Sequence, residues 1–470
     1  MVGAFSVGLY LAAHEDGRLI VRSPSMWRRV AVRIAVIAGA FSVGLSLAAR
    51  AQDVQVNLPD NNAPNLGNHT TESETSVARS GPLTVVGYNT YRQVGLLGAG
   101  AYTSLSKQPI KQILLDTQAY WDHERTPAHV RENFLRIIKC GTIALGAEVF
   151  ASETESKLVF HTCKSRFCTS CGQRATEAWQ ADMEAILPDV PYVGITLTLP
   201  IEFRPIVQQN RHILDGIPAM GAEAIQQWAK ARYGVRLIVL VVQQTFGGFL
   251  NFVPHLHVLV SAGGLMESRN RWIHRLKYNE RELMCAWRFA VVAFLSEARK
   301  RNLLKSSLSG EELLNMLMTQ YERPWNVFIS RNGSKTYRLK HDGRYIRRPP
   351  IAQHRLMRVG NAQVEYLAKD TKNKQFVPKR YANEEFVNLL MQHVPHRGRH
   401  AMRYFGLLSP RAKAQLWAGI FVLLNQQRRP HPRRLCWRWL LLKTFGIDPL
   451  QDSLGRVMHR IGRRAPVTAA

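Results

Sequence analysis

Asn251-Phe-Val-Pro-His255-Leu256-His257-Val-Leu-Val260-Ser-Ala-Gly-Gly264 is the stretch from which the rest of the chain is read. Polar and apolar residues alternate around Leu256, and the apolar run Val258 to Val260 follows, a pattern that predicts a half-buried strand. Successive side chains on a strand point to opposite faces, so His255 and His257 share one face while Leu256 points into a core on the other. Their Cα atoms would lie about 6–7 Å apart, near enough for two imidazoles to converge on one divalent cation. Spacing alone equally suits two ordinary strand histidines beside the Gly263-Gly264 turn.

Leu237 to Gln244 reads as a second, nearly continuous apolar strand, and Gly247-Gly248 permits a turn back to Pro254. A hairpin of these two strands would bring Gln243 or Gln244 beside the imidazoles. An amide oxygen is a suitable third ligand for a hard cation, and Gln244 is the candidate, although an edge hydrogen bond is the simpler role for either glutamine. Tyr192 to Leu199 alternates as a further strand, ended by Pro200. Helical spacing marks Glu282 to Arg299, Gly310 to Met318 behind the capping box Ser309-Gly-Glu-Glu312, and Glu384 to Gln392. Cys285, on the first of these, is read as a core residue.

The cysteines are Cys140, Cys163, Cys168, Cys171, Cys285 and Cys436. They are too few to staple a chain of this length, but three fall within nine residues, which suggests a metal site in a reducing compartment. In His161-Thr-Cys163-x4-Cys168-x2-Cys171-Gly172 the Cys-x-x-Cys-Gly turn places two thiolates for tetrahedral zinc. Cys163 is then a third ligand, and Cys140 or His161 the fourth. Buried thiols without a metal are the alternative. Apolar residues at helical spacing precede the cluster between Leu114 and Ile138, and a helix with Ala175, Trp179, Met183 and Ile186 on one core-facing side follows it.

At 470 residues the chain has room for about three domains with real cores. It carries 63 Lys and Arg against 34 Asp and Glu, a net charge of +29. That field attracts polyanions, and ten Trp and fourteen Tyr without long apolar spans favour a nucleic acid over a membrane surface. Between Arg331 and Gly360 stand nine Lys or Arg and one acid, Asp342. In their midst is Gly343-Arg344-Tyr345-Ile346-Arg347-Arg348-Pro349-Pro350. A tyrosine flanked by arginines sits in a field that favours the phenolate and binds phosphate, as a nucleophile attacking DNA requires. Stacking on a base is the other role open to it. Arg344, Arg347 and Arg348 are candidate DNA contacts, and the run Arg428 to Arg434 is either a backbone contact or a solvated face.

Residues 1–110 differ from the rest. Gly3-Ala-Phe-Ser-Val-Gly-Leu-Tyr-Leu-Ala-Ala13 recurs 36 residues later as Gly39-Ala-Phe-Ser-Val-Gly-Leu-Ser-Leu-Ala-Ala49, too few copies for a solenoid. Arg28-Arg29, the apolar segment 35–49 and Ala49-Arg50-Ala51 read as a signal peptide over 26–51, too short to span a membrane, and 53–82 as a flexible linker. Export would part a DNA enzyme from its substrate. The expectation is a cytoplasmic protein joined to a spurious or fused upstream frame, with no stable membrane partner.

Together these motifs resemble a family, the rolling-circle insertion-sequence transposases of the HUH (His-hydrophobic-His) tyrosine class, relatives of plasmid replication initiators. The resemblance covers about residues 112–450. It rests on the clustered cysteines, Thr196-Leu-Thr-Leu-Pro200, Pro254-His-Leu-His-Val-Leu-Val260, Gly343 to Pro350, Gln392-His-Val-Pro395 and Arg403-Tyr-Phe-Gly406. It implies an α+β fold with a central antiparallel sheet and flanking helices, preceded by a small zinc-binding module and followed by a basic helical tail. The corresponding domains are 1–110, 111–187 (zinc and DNA recognition), 188–370 (catalytic) and 371–470. It further implies Mg²⁺ or Mn²⁺ on His255 and His257, structural Zn²⁺, single-stranded element ends as partner, and Tyr345 as a nucleophile that forms a 5′-phosphotyrosine. Many relatives carry two tyrosines four residues apart; here His341 stands at the first position. Residues 150–154 and 448–455 also lack cysteines that relatives often carry there. An inactive DNA-binding remnant and a replication initiator are the competing expectations.

Overall fold

Val, Ile and Leu make up the runs 238–242 and 258–260, and such residues suit a pleated surface covered on both sides. The computed structural model describes residues 109–346, 349–360, 362–370, 373, 375–430, 432, 438–439, 442 and 448–466, with short strands at 12–13, 19–20, 75–80 and 83–88. Its central strands are β1 (Tyr192–Thr198), β2 (Ile238–Phe246) and β3 (Phe252–Ser261). Edge strands β4 (Val327–Ile329) and β5 (Met402–Gly406) complete an antiparallel sheet in the order β4-β1-β3-β2-β5. The histidine strand β3 is thus central. The fold is α+β, as the resemblance implied.

Register decides what faces what. His255 is paired with Thr198 and Gln244, and His257 with Thr196 and Val242, so these side chains share a face. Leu256, opposite Leu197 and Gln243, faces the other way and is fully buried. That reverse face is covered by helices α2 (Ile217–Tyr233) and α3 (Glu280–Lys300). The approach is close enough that a Cβ at Gly221 of α2 would overlap Cδ1 of Leu256 and lie 3.2 Å from Cδ1 of Leu197.

The histidine face is covered by α1 (Thr169–Ile186), α4 (Lys335–Ile346) and α5 (Pro410–Leu423). Trp179 and Met183 of α1, Leu339 of α4, and Trp417 and Ile420 of α5 form one core with Ile238, Leu240, Val242 and Leu259 of the sheet. The core-facing side expected for the helix after the cysteines is therefore present. Helix α4 crosses what the sequence shows only as a basic stretch. Two of its basic residues are buried: the Lys335 ammonium binds the carbonyls of Glu184 and Leu187, and the Arg338 guanidinium binds the carbonyl of Arg331. A hydrophobic periodicity cannot report such positions.

The helices Pro109–Asp116 and Ala128–Ile138 share a second core with a three-stranded antiparallel sheet (Leu356–Gly360, Gln363–Lys369, Phe376–Ala382) and the helix Asn383–Met391. The expected boundary at 370 falls between two strands of that sheet which pair with each other. Strands Ala147–Ala151 and Ser156–Phe160 join a third sheet with His459–Arg464, Leu83–Tyr88 and Thr75–Ser80, so the C-terminal region adds strands as well as helices. Residues 75–80, expected in the linker, pair with Leu83–Tyr88.

The capping box at Ser309 forms as expected, with its hydroxyl accepting from the Glu312 amide at 3.2 Å. Cys285 is exposed on α3, not in the core, because it lies two residues from buried Leu283 and so on the other side of the helix. Ala12–Ala13 pairs with Leu19–Ile20; the signal-like segment 26–51 and residues 53–74 of its expected linker lie outside the described residues. No helix among the described residues is long and apolar enough to cross a membrane.

Candidate functional site

On β3 the two imidazoles turn toward each other. Nε2 of His255 and Nε2 of His257 are 3.1 Å apart, with the rings at 81°. Nδ1 of His255 lies 2.7 Å from the Val253 carbonyl, to which it donates, so Nε2 keeps its lone pair. Burial lowers the His255 pKa, with Arg204 adding to the effect, and burial followed by the neighbouring His255 pushes His257 down to about 3. Both rings are therefore neutral at neutral pH, the form that ligates a metal. Two adjacent ligands on an octahedral ion at about 2.1 Å are about 3.0 Å apart, which matches the observed pair. Of the two glutamines, register brings Gln244 to the histidine face and turns Gln243 to the reverse face; both are buried.

Helix α4 lies across the same face. It starts where Lys335 meets the Asp189 carboxylate at 2.7 Å, just before β1, and continues until Asp342 stands over Gly194. A Cβ at Gly194 would lie 3.2 Å from Oδ2 of Asp342 and 3.1 Å from Oγ of Ser330, so glycine gives the helix its approach. The helix thus runs alongside β1 toward Thr196 and Thr198, the residues paired with His257 and His255. Tyr345 falls in its last turn, three residues and about 4.5 Å along the axis beyond Asp342. His341, one turn earlier, stacks on Tyr337 with centroids 5.6 Å apart, and its Nδ1 is 2.8 Å from Asp342. Arg344 lies on the same helix; Arg347 and Arg348 lie outside the described residues.

The cysteines converge at a second centre. The Sγ atoms of Cys140, Cys163, Cys168 and Cys171 all lie within 4.8 Å of one another. Cys140–Cys171 and Cys163–Cys171 are 3.7 Å apart and Cys140–Cys168 3.8 Å. A tetrahedral ion with Zn–S bonds of about 2.3 Å has sulfur–sulfur edges of about 3.8 Å, so the four thiols have the dimensions of a closed structural zinc site. Its sulfur–sulfur contacts, that with Cys140 first, hold the Cys168 thiol well below its ordinary range, readying it to bind as thiolate. His161 is not part of this set. Its ring nitrogens are taken by the Leu145 carbonyl and the Glu148 carboxylate, each at 3.1 Å. Of the two candidates for the fourth position, Cys140 is the one the fold delivers. It follows the helix Ala128–Ile138, and the next residue, Gly141 at φ +69°, ties back to the His161 carbonyl at 3.0 Å.

Sequence reasoning missed Lys111. It is fully buried, its ammonium donates to the Cys140 carbonyl, and it stands beside four thiols that carry negative charge once metallated. The available signal was a lysine between Ile110 and Ile113-Leu114 of an apolar helical stripe. Arg204 also escaped notice. It acts electrostatically on His255, and its Nε is buried without a hydrogen-bond partner among the described residues. In the tail, Arg429 is ion-paired with Glu184 and Asp189.

Two families of known domains match the chain. One, described as "Transposase zinc-binding domain", matches residues 113–199, which include all four clustered cysteines. The other, described as "Putative transposase", matches residues 239–415, which include Gln244, His255, His257 and Tyr345. The chain is 28% identical over 388 residues to the "Transposase for insertion sequence element IS801" of Pseudomonas savastanoi pv. phaseolicola, across 79% of this chain and 91% of that protein. It is 26% identical over 300 residues to "Putative transposase y4qJ" of Sinorhizobium fredii (strain NBRC 101917 / NGR234), across 59% and 73% respectively. No solved structure matches.

Proposed function

We propose that the chain is a rolling-circle insertion-sequence transposase with a zinc-binding module, a reading supported by the two matching domain families and the insertion-sequence relative, and that, as a member of the HUH tyrosine class, it nicks and joins single-stranded DNA at element ends through a 5′-phosphotyrosine on Tyr345. The observation that carries the reading is the convergence of His255 and His257 on the sheet face along which the Tyr345 helix runs. His255, His257 and Gln244 would hold Mg²⁺ or Mn²⁺, which when bound supplies a Lewis acid for the scissile phosphate. The Tyr345 phenolate attacks phosphorus, the P–O3′ bond breaks, and the departing strand takes a proton to leave a free 3′-hydroxyl. The phosphotyrosine conserves the phosphodiester, so a later 3′-hydroxyl displaces Tyr345 and joins strands without ATP. Arg344, Arg347 and Arg348 bind flanking phosphates and set the register of the strand.

The four cysteines hold zinc as a structural brace, and their module recognises the element ends. The protein acts in the cytoplasm, where its DNA is. His341, at a position where many relatives have a second tyrosine, favours one competing reading, a remnant that binds DNA without cutting it. A labelled single-stranded element end incubated with Mn²⁺ separates the two. The native chain cleaves it, and His255→Ala and His257→Ala each cut the rate by about 10²-fold or more, as loss of charge stabilisation does elsewhere. Cleavage that persists in both variants overturns the metal assignment, and no cleavage by the native chain overturns the reading.

A further inference from the structure

We propose that Arg211, Arg399 and Arg403 form a phosphate-binding seam, on the side of the central sheet away from the histidines, that takes the backbone of a DNA strand. Arg399 and Arg403, from one segment, meet the Asp215 carboxylate, and Arg211, from a distant one, is tied to Arg399 through its carbonyl. Arg399 Nε lies 2.7 Å from Asp215 Oδ1, and its Nη2 donates to the Arg211 carbonyl at 3.1 Å. Arg403 Nη1 donates to the Asp215 carbonyl at 2.8 Å, and its Nη2 is 4.0 Å from that carboxylate. Arg211 Nη2 donates to the Gln392 carbonyl at 2.6 Å, and its guanidinium lies 5.0 Å from the centre of the Phe252 ring. Arg403 is paired with Val241, which is paired with Val258, so it belongs to the Leu256 face and not to the histidine face.

Charge balance makes this a site. Among the described residues Asp215 is the one carboxylate paired with Arg399 and Arg403, and Arg211 meets a carbonyl oxygen and the Phe252 ring but no carboxylate, which leaves about two of the three positive charges without a counter-charge. The Arg399 side chain is only 8% exposed and that of Arg403 30%. Carbonyl oxygens satisfy donors but do not neutralise charge, and partly buried charge without a counter-ion is unfavourable. A second observation points the same way: Gln243, two residues from Val241 on β2 and 8% exposed, has an amide nitrogen buried without a hydrogen-bond partner among the described residues. On the rim, the His396 ring lies against that of His129 of the zinc module, with centroids 4.0 Å apart and the planes tilted by 35°. Burial first, then His396 and the arginines, lowers His129 to about 4. The ligand that fits is an oxyanion offering paired oxygens to planar guanidiniums, and a phosphodiester strand supplies one such charge per nucleotide.

The identity of the polyanion rests on the transposase reading. The test therefore measures binding alone, by fluorescence anisotropy of a labelled single strand between 50 and 200 mM KCl without added magnesium or manganese. Each phosphate contact on a single strand contributes about 0.7 to the slope of log K against log salt. Arg211→Gln with Arg403→Gln is expected to lower the slope by about 1.4, whereas the Lys pair keeps it. Should the double variant not fold, Arg403→Gln alone, the more exposed position, is expected to lower it by about 0.7. Inorganic phosphate at 10 mM that abolishes the native slope would assign the seam to free phosphate and overturn the strand proposal. A folded variant with the native slope and affinity overturns the seam and leaves the cleavage chemistry standing. Loss of metal-dependent cutting does the reverse, and a native chain with no salt-dependent affinity overturns both.

Discussion

Replacing Cys140 by serine, set against replacing His161 by alanine, tests which residue closes the zinc site. The sulfur–sulfur distances of 3.7 and 3.8 Å already meet tetrahedral geometry with Cys140 as a corner, while the His161 ring is committed to Leu145 and Glu148. Structural zinc in small modules is worth roughly 10–16 kcal/mol at pH 7. One thiolate of four carries about a quarter of that, about 2.5–4 kcal/mol, or about 10²–10³-fold in affinity. Competition with a chromogenic zinc chelator, in reducing buffer at pH 7.4, reads this directly. Cys140→Ser should release zinc at 10²–10³-fold (roughly) lower chelator strength. His161→Ala should change the affinity less than about threefold, the small cost of a lost partner outside the metal's ligands. If His161→Ala releases the metal and Cys140→Ser does not, the four-thiol assignment is refuted.

Lys111→Met should also weaken zinc, by about 10-fold or more, because it removes a buried cation from beside the thiolates; the same chelator titration checks it. Gly221→Ala opposes two effects: alanine gains up to about 1 kcal/mol in a helix, but its Cβ would overlap Leu256, and overpacking costs about 1–3 kcal/mol. The expected sign is a lower denaturation midpoint, and a raised one contradicts the packing. His393 is 6% exposed, and burial lowers it to about 4 from an unfolded value near 6.5. A histidine depressed in this way stabilises the fold fully above pH 6.5 or so and loses that contribution as pH falls toward about 4, on the order of 3 kcal/mol. Urea midpoints measured from pH 7.5 to 4.5 should fall through that window, and a flat profile counts against it.

The histidine strand was legible because alternation and register are local properties: once β2 and β3 pair, Gln244 must share the His255 face. The zinc cluster was legible as three thiols. Its fourth member stayed open between Cys140 and His161, because Cys140 lies 23 residues before Cys163 and only the fold returns it there. Helix α4 hid behind its charge, since Lys335 and Arg338 are buried by binding carbonyl oxygens rather than by being apolar. Cys285 was misread as core although its spacing from Leu283 already set it on the far side of α3. The arginine seam has no sequence signature at all. Arg211 and Arg399 stand 188 residues apart and meet only because β5 pairs with β2 and carries its neighbours to Asp215.

The central claim is that Tyr345 becomes covalently joined to DNA at the histidine face. Native protein incubated with a labelled single-stranded element end and Mn²⁺, then denatured and mapped by peptide mass spectrometry, addresses it most directly. The account predicts a nucleotide joined through its 5′-phosphate to the peptide containing Tyr345, and its loss in Tyr345→Phe. An adduct undiminished in Tyr345→Phe, or no adduct with the native chain, would contradict it.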